Sequence, residues 1–248
     1  MRHLEVIGIG AGDPRHVTAE AAEALRGVDV VFALDKGAAK DDLLAVRRTI
    51  LAEHAPDVRL VTVPDPPRER DPRDYGATVR DWHAARAELL LAAIDRELDD
   101  AGRGAFLVWG DPSLYDSTLR IIDRMRGLGL EAQVAVRPGI TAVQALTAAH
   151  AVTLNRIGRP VLTTTGRRLG ERPAGMDAVV MLDGGAAWLE HAAPDEEILW
   201  GAYLGTAHQV LRRGVVGEIG AELAELKRAL REEHGWIMDV YLLRPAGS

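Results

Sequence analysis

Cysteine is absent from the 248 residues, which excludes a disulfide framework, a thiolate metal site and a cysteine nucleophile. An excess of cations is absent too: 30 Lys and Arg stand against 37 Asp and Glu, a formal net charge of −7. A broad nucleic-acid surface needs clustered cations to displace phosphate counterions, so no nucleic-acid partner is expected. No apolar run reaches the length that spans a bilayer, and Met1-Arg2-His3-Leu4-Glu5 leads straight into a strand-like stretch without the regions of a signal peptide. A cytoplasmic chain with no membrane partner is the resulting expectation. The eight histidines show no His-x-x-x-His or comparable ligand spacing, so no metal site is expected.

What is present is a chain 47% hydrophobic, enough for one large domain or two of ordinary size. Leu4 to Ile9 reads as a strand, Gly10, Gly12 and Pro14 as a turn, and Thr18 to Leu25 as a helix. Asp29 to Leu34, Val58 to Val63, Ala105 to Trp109 and Ala132 to Val136 are further strands, separated by helical patterns. Strands alternating with helices predict an α/β fold with a largely parallel sheet. Four prolines among charges make Pro64 to Asp74 a loop, possible cover for a ligand or a passive solvated segment. Arg137-Pro138-Gly139 reads as a hinge, giving domains 1–138 and 139–248, both α/β. In the second, Val161 to Thr165, Ala178 to Leu182, Ile198 to Tyr203 and Trp236 to Leu243 are the expected strands, and Leu223, Leu226 and Leu230 line one helix face.

Three glycine turns each stand where a strand ends. Gly8-Ile9-Gly10-Ala11-Gly12-Asp13-Pro14 has Asp13 where a dinucleotide fingerprint needs its third glycine, and an aspartate there repels a pyrophosphate. That spacing counts against a nicotinamide-dependent reductase. In Trp109-Gly110-Asp111-Pro112-Ser113-Leu114-Tyr115, Gly110 permits close approach of a ligand, and Asp111 either accepts from a ribose hydroxyl or a cationic amine or caps the next helix. In Arg137-Pro138-Gly139-Ile140-Thr141-Ala142, Thr141 either bonds a ligand or caps a helix.

Taken in this order, the three motifs resemble those of the tetrapyrrole (corrin and porphyrin) methylase family: a Gly-x-Gly-Pro-Gly-Asp-Pro start, a central Gly-Asp-Pro-x-x-Tyr and a Pro-Gly-Ile-Ser/Thr. Ala11 stands where many members carry proline. The resemblance spans the chain. Leu34-Asp35-Lys36-Gly37, Trp82-His83-Ala84-Ala85-Arg86, Thr164-Thr165-Gly166-Arg167-Arg168 and His234 to Arg244 resemble one branch, which methylates a corrin precursor with loss of acetate. The resemblance implies two α/β domains of the tetrapyrrole methylase type, a homodimer, and S-adenosylmethionine held in the inter-domain cleft, with S-adenosylhomocysteine as product. Carried over position by position, cofactor contacts fall at Ala11, Trp109, Gly110, Asp111, Leu114, Thr141, Ala142, Leu182 and Gly205.

The implied reaction joins a ring carbon of precorrin-5 to the sulfonium methyl and hydrolyses the extruded acetyl group. Methyl transfer needs alignment and desolvation more than acid-base groups, whereas deacetylation needs an activated water. His234 and Asp239 are the candidates for that step, with Tyr115 and Asp116 behind them. A corrinoid substrate is rich in carboxylates, and Lys36, Arg156, Arg167 and Arg168 are its candidate partners. Two rivals stay open: a related methylase acting at another ring position, and a corrinoid carrier that has lost transfer activity.

Overall fold

The computed structural model describes residues 1–35, 41–67 and 75–246. It divides into two compact units, Met1–Gly10 with Pro14–Ile140, and Ala11–Asp13 with Thr141–Ser248. The division falls between Ile140 and Thr141 rather than after Pro138, and three residues of the first glycine turn group with the second unit.

In the first unit, β1 (Arg2–Gly8), β2 (Val30–Asp35), β3 (Arg59–Pro64), β4 (Arg103–Val108) and β5 (Ala132–Arg137) form one sheet in the order β3-β2-β4-β1-β5. Every pairing is parallel. Parallel neighbours need long crossovers. Helices α1 (Ala19–Arg26), α2 (Asp41–His54), α3 (Tyr75–Glu97) and α4 (Thr118–Gly127) supply most of them. Helix α1 starts where Thr18 Oγ1 accepts from the Ala21 amide at 3.1 Å, an N-cap that satisfies one orphan donor. Covered on both faces, the central strands read as continuous apolar runs. Leu4, Val6, Phe32 and Phe106 pack with α3 and α4 on one face, and Ile7, Val31 and Leu107 with α1 and α2 on the other.

Glu5 is the exception on β1, a carboxylate only 3% exposed. Its cost is offset by Arg137, whose Nε donates to Oε2 at 2.9 Å and Nη2 to Oε1 at 3.2 Å, with Arg103 Nη2 at 3.4 Å. The same hydrogen bonds, and one to Glu20, hold the Arg137 pKa above its ordinary value.

The second unit contains α5 (Ala142–Ala149), β6 (Val161–Thr165), β7 (Asp177–Met181), α6 (Trp188–His191), β8 (Glu197–Ala202), β9 (Val210–Val215), α7 (Val216–His234) and β10 (Asp239–Arg244). Its sheet runs β6-β7-β10-β8-β9. Only β6 and β7 are parallel, because β10 returns between β7 and β8 and a short loop folds β9 back on β8. This sheet is therefore mixed, not the parallel alternation of the first. Strand β9 escapes notice in the sequence because, at an edge, its middle residues Arg212 and Arg213 are exposed and no apolar run marks it. The last strand opens at Asp239 rather than Trp236. Residues 236–238 curl around Tyr203, whose hydroxyl donates to the Trp236 carbonyl at 2.6 Å and whose amide donates to the Met238 carbonyl at 2.9 Å. Trp188, Trp200 and Tyr241 fill the core, with Trp188 edge-on to Tyr241 at 5.1 Å.

No helix among the described residues is long and apolar enough to cross a membrane. Replacing Glu5 with Gln leaves two arginines facing a neutral amide and should cost about 2 kcal/mol. A lower urea midpoint at unchanged slope is the expected result.

Candidate functional site

In the order β4-β1-β5, the three strands that end in glycine motifs are neighbours, so their loops emerge side by side at the carboxyl edge of the sheet. That edge is where open α/β sheets bind ligands. Gly10 and Gly110 form a two-residue bridge, the Gly110 amide donating to the Gly10 carbonyl at 2.8 Å and the Gly10 amide to the Gly110 carbonyl at 3.3 Å. The third loop closes on the other two. A Cβ on Gly139 would stand 2.2 Å from the Gly110 carbonyl oxygen and 2.8 Å from Gly8 backbone carbon, and one on Gly8 would stand 2.6 Å from the Gly139 nitrogen. Glycine is required here because backbone meets backbone, with no side chain able to yield.

Asp111 fastens the loops. Its Oδ1 accepts from the Ser113 amide at 2.8 Å and from the Ser113 hydroxyl at 2.5 Å, and Oδ2 accepts from the Gly139 amide at 2.8 Å. Burial works to raise its pKa, but the hydrogen bonds from Ser113 and Gly139 outweigh it and hold the carboxyl below the usual range. Both oxygens thus serve the protein's own loops, and Asp111 does not cap α4. At the end of the motif Tyr115 takes a left-handed backbone, φ 51°, uncommon for a bulky residue, and the residue is 42% exposed. Trp109 and Leu114 flank the turn half-buried. Thr141 resolves as a cap: its Oγ1 accepts from the Gln144 amide while Gln144 Oε1 accepts from the Thr141 amide at 2.8 Å, a capping box for α5, which Ala142 opens.

In the second unit, strands β6, β7 and β8 end, and β10 begins, at one edge. Leu182 follows β7 at φ 52°, 62% exposed, and Tyr203 follows β8 at φ 50° with Gly205 at φ 74°. The Gly205 amide donates to Gln209 Oε1 at 2.9 Å. Beneath Leu182, Asp183 Oδ1 accepts from the Gly185 amide at 3.0 Å, and Oδ2 accepts from the Ala187 amide and the Tyr241 hydroxyl, both at 2.9 Å. Burial, and after it the Asp183 carboxylate facing its oxygen, push the Tyr241 pKa up. Lys227 of α7 donates to the Asp183 carbonyl at 2.7 Å and pairs with Asp239 at 2.8 Å, and Trp200 Nε1 donates to the same Asp239 oxygen at 2.9 Å.

Asp239 is therefore a buried member of an ion pair, its side chain 4% exposed, rather than a group open to a reacting water. Burial raises its pKa while Lys227 and Trp200 oppose the rise. His234, the last residue of α7, lies 5.0 Å from the Tyr203 ring and 4.6 Å from His208, ring centre to ring centre. His208 sits in the Gly205 loop, and nothing in the residue spacing marked it out. Arg167 and Arg168 are exposed just past β6, with Arg168 paired to Glu171. Arg156 has a partner inside the fold. Its guanidinium spans both oxygens of Asp177, a buried carboxylate at the first residue of β7 whose second cation, Arg244 Nε, stands farther off at 4.0 Å. That places it at the opposite end of β7 from Leu182, roughly 15 Å along the strand. Ala11 is buried in the first turn. Lys36 lies outside the described residues, as does most of Pro64 to Asp74. No group of three or more His, Asp or Glu among the described residues is placed to hold a metal ion.

The family model for tetrapyrrole (corrin/porphyrin) methylases matches residues 3–220. The chain belongs to the tetrapyrrole methylase family. Among its relatives is a protein of Sinorhizobium named precorrin-6A synthase (deacetylating), 46% identical over 98% of this chain and 95% of that one. A crystal structure of a cobalamin synthesis related protein (CobF) from Corynebacterium diphtheriae is 52% identical, covers 98% of both chains and superposes with a TM-score of 0.87. Cobalt precorrin-4 methyltransferase, CbiF, shares the fold at a TM-score of 0.68 with 15% identity, covering 98% of this chain and 94% of its own. The methylase fold of two α/β units is thus shared well beyond the range of close sequence similarity.

For this methylase, the depressed pKa of Asp111 fixes the sign of a pH effect. Its contribution to stability is complete above the ordinary carboxylate pKa of about 4 and is lost as pH falls through the lower folded value. Asp111→Asn should lower the unfolding free energy at pH 7 by about 1–2 kcal/mol, read from denaturant titration, and the gap to the parent should narrow at pH 3. An equal gap at both pH values would remove the role assigned to the charge.

Proposed function

We propose that the chain transfers the methyl group of S-adenosylmethionine to a ring carbon of precorrin-5 and releases acetate, forming precorrin-6A in cobalamin biosynthesis. The observation that carries this reading is the near full-length similarity to the Sinorhizobium precorrin-6A synthase (deacetylating). In the same proposal the chain acts as a homodimer in the cytoplasm.

The residues suit the cofactor. A methionine-linked nucleoside without phosphates needs no anion hole, and the strand-end loops offer it none: at Gly8, Gly110 and Gly139 they pack backbone on backbone. Ala11, Trp109, Gly110, Asp111, Leu114, Thr141, Ala142, Leu182 and Gly205 are the residues proposed to hold it. Of these, Gly110, Leu182 and Gly205 take left-handed conformations that turn the chain sharply at a strand end. Asp111 acts by keeping its turn locked to Gly139. When bound, the cofactor supplies a sulfonium-activated methyl group, so the protein's task is alignment and exclusion of water. Arg167 and Arg168 present their charges to the substrate's carboxylates, and Tyr115 and His234 face the macrocycle. Asp239 serves through Lys227 as a support of the Leu182 turn.

Gly139→Ala should weaken S-adenosylhomocysteine binding at least tenfold by calorimetry, because the added methyl displaces Gly110 and Gly8 together. Gly127→Ala, where an added Cβ meets nothing within 4 Å, should leave the affinity within twofold. Incubation with precorrin-5 and labelled cofactor should give a product one methyl heavier and one acetyl lighter, with free acetate. A methylated product that retains the acetyl group would point to a methylase of another ring position.

A further inference from the structure

Past Tyr115 the central loop runs into Asp116, which opens on a cavity of about 120 Å³ in the first unit. Arg47 of α2 and Arg86 of α3 line it together with apolar Phe32, Phe106 and Ile122. Such a space holds several waters, or one two-carbon acyl group with a water beside it. Its charged walls are built, not incidental. Arg86 is 5% exposed, its Nε and Nη2 donate to Asp65 at 2.7 and 2.5 Å, and its guanidinium lies 3.3 Å over the Trp82 ring, so the fork is fixed with Nη1 not used by Asp65. Arg47 Nε donates to the Leu107 carbonyl at 3.2 Å at the end of β4. Burial lowers the Arg47 pKa and the charge of Asp116 opposes that fall, and both side chains line the cavity. Asp116 Oδ1 accepts from the Thr118 amide at 2.6 Å, which fixes the carboxylate at the start of α4.

A carboxylate and two cations around a small, partly apolar space match the needs of carbonyl hydrolysis: a proton acceptor for water, donors for the carbonyl oxygen and room for a methyl group. We propose that this cavity is where the acetyl group is cleaved, with its carbonyl oxygen toward Arg47 and Arg86 and with Asp116 as the base for the attacking water. The proposal rests on the deacetylating reading above and assigns its hydrolytic step. The water oxygen bonds to the acetyl carbon while its proton passes to Asp116. The carbon–carbon bond to the macrocycle breaks, its electron pair stays on the macrocycle to bond the incoming methyl or a proton, and acetate leaves. Asp116 then gives its proton to solvent. This gives the water-activating role to Asp116 in place of Asp239, whose carboxylate is enclosed by Lys227 and Trp200.

The test measures acetate release and methylated product in the same reactions for the parent chain, Asp116→Asn and Arg47→Gln, with Asp123→Asn on exposed α4 surface as control. Asparagine can still accept from the Thr118 amide, so the start of α4 is kept. Thermal melts and S-adenosylhomocysteine titration report fold and cofactor binding for each variant. The expected result is acetate release reduced at least a hundredfold in folded Asp116→Asn, with S-adenosylhomocysteine affinity within threefold of the parent. Release within tenfold of the parent in that variant overturns the proposal. Should Asp116→Asn not fold, Arg47→Gln is judged by a tenfold loss of acetate release, and by loss of the saturable carbon-13 acetate binding expected of the parent. A parent chain that methylates precorrin-5 without forming acetate overturns the functional reading itself, an outcome distinct from a failure of Asp116 alone.

Discussion

The contact of Asp111 with the Gly139 amide, 2.8 Å long, ties two of the three strand-end loops into one surface. The third, at Gly8, is held by backbone packing so close that no Cβ can enter. Everything proposed for the cofactor depends on that arrangement, and it follows from topology. Placing β1 between β4 and β5 puts their ends side by side, and three loops leaving adjacent strands have room only if glycine stands at the crossings. The carboxylate adds direction and a charge whose hydrogen bonds keep its pKa below the ordinary carboxylate value.

The second unit solves the same problem with side chains. Leu182 and Tyr203 are bulky residues in left-handed conformations, and the neighbouring polar groups are anchored from below. Asp183 gathers two amides and the Tyr241 hydroxyl, while Lys227 reaches from α7 to both the Asp183 carbonyl and Asp239. A buried ion pair of this kind adds little net stability over an apolar replacement, yet removing one partner is costly. Its use here is to fix the turn after β7 against β10.

Much of this was legible in the residues. The parallel sheet of the first unit announced itself through apolar runs too short for helices alternating with helical patterns, and the three glycine turns were visible as a set because each follows such a run. Local spacing does not report which partner a charge meets across the fold. Arg156 reads in the sequence as a substrate-binding cation, and in the fold its guanidinium pairs with Asp177, a contact 21 residues away. Asp239 looked open and is enclosed by a lysine on the preceding helix. Strand β9 lacked an apolar signature because it is an edge, and the cavity by Asp116 brings together α2, α3, α4 and the ends of β2 and β4, which lie far apart in the sequence. His208 joined His234 only through the fold of the Gly205 loop.

A crystal structure of the chain with S-adenosylhomocysteine tests the central claim most directly. The account expects the nucleoside against the bare backbone of Gly110 and its neighbours, with the Asp111 carboxylate still bonded to the Gly139 amide. A nucleoside bound away from the Gly8, Gly110 and Gly139 loops, or an Asp111 released from Gly139 to bind it, would contradict the account.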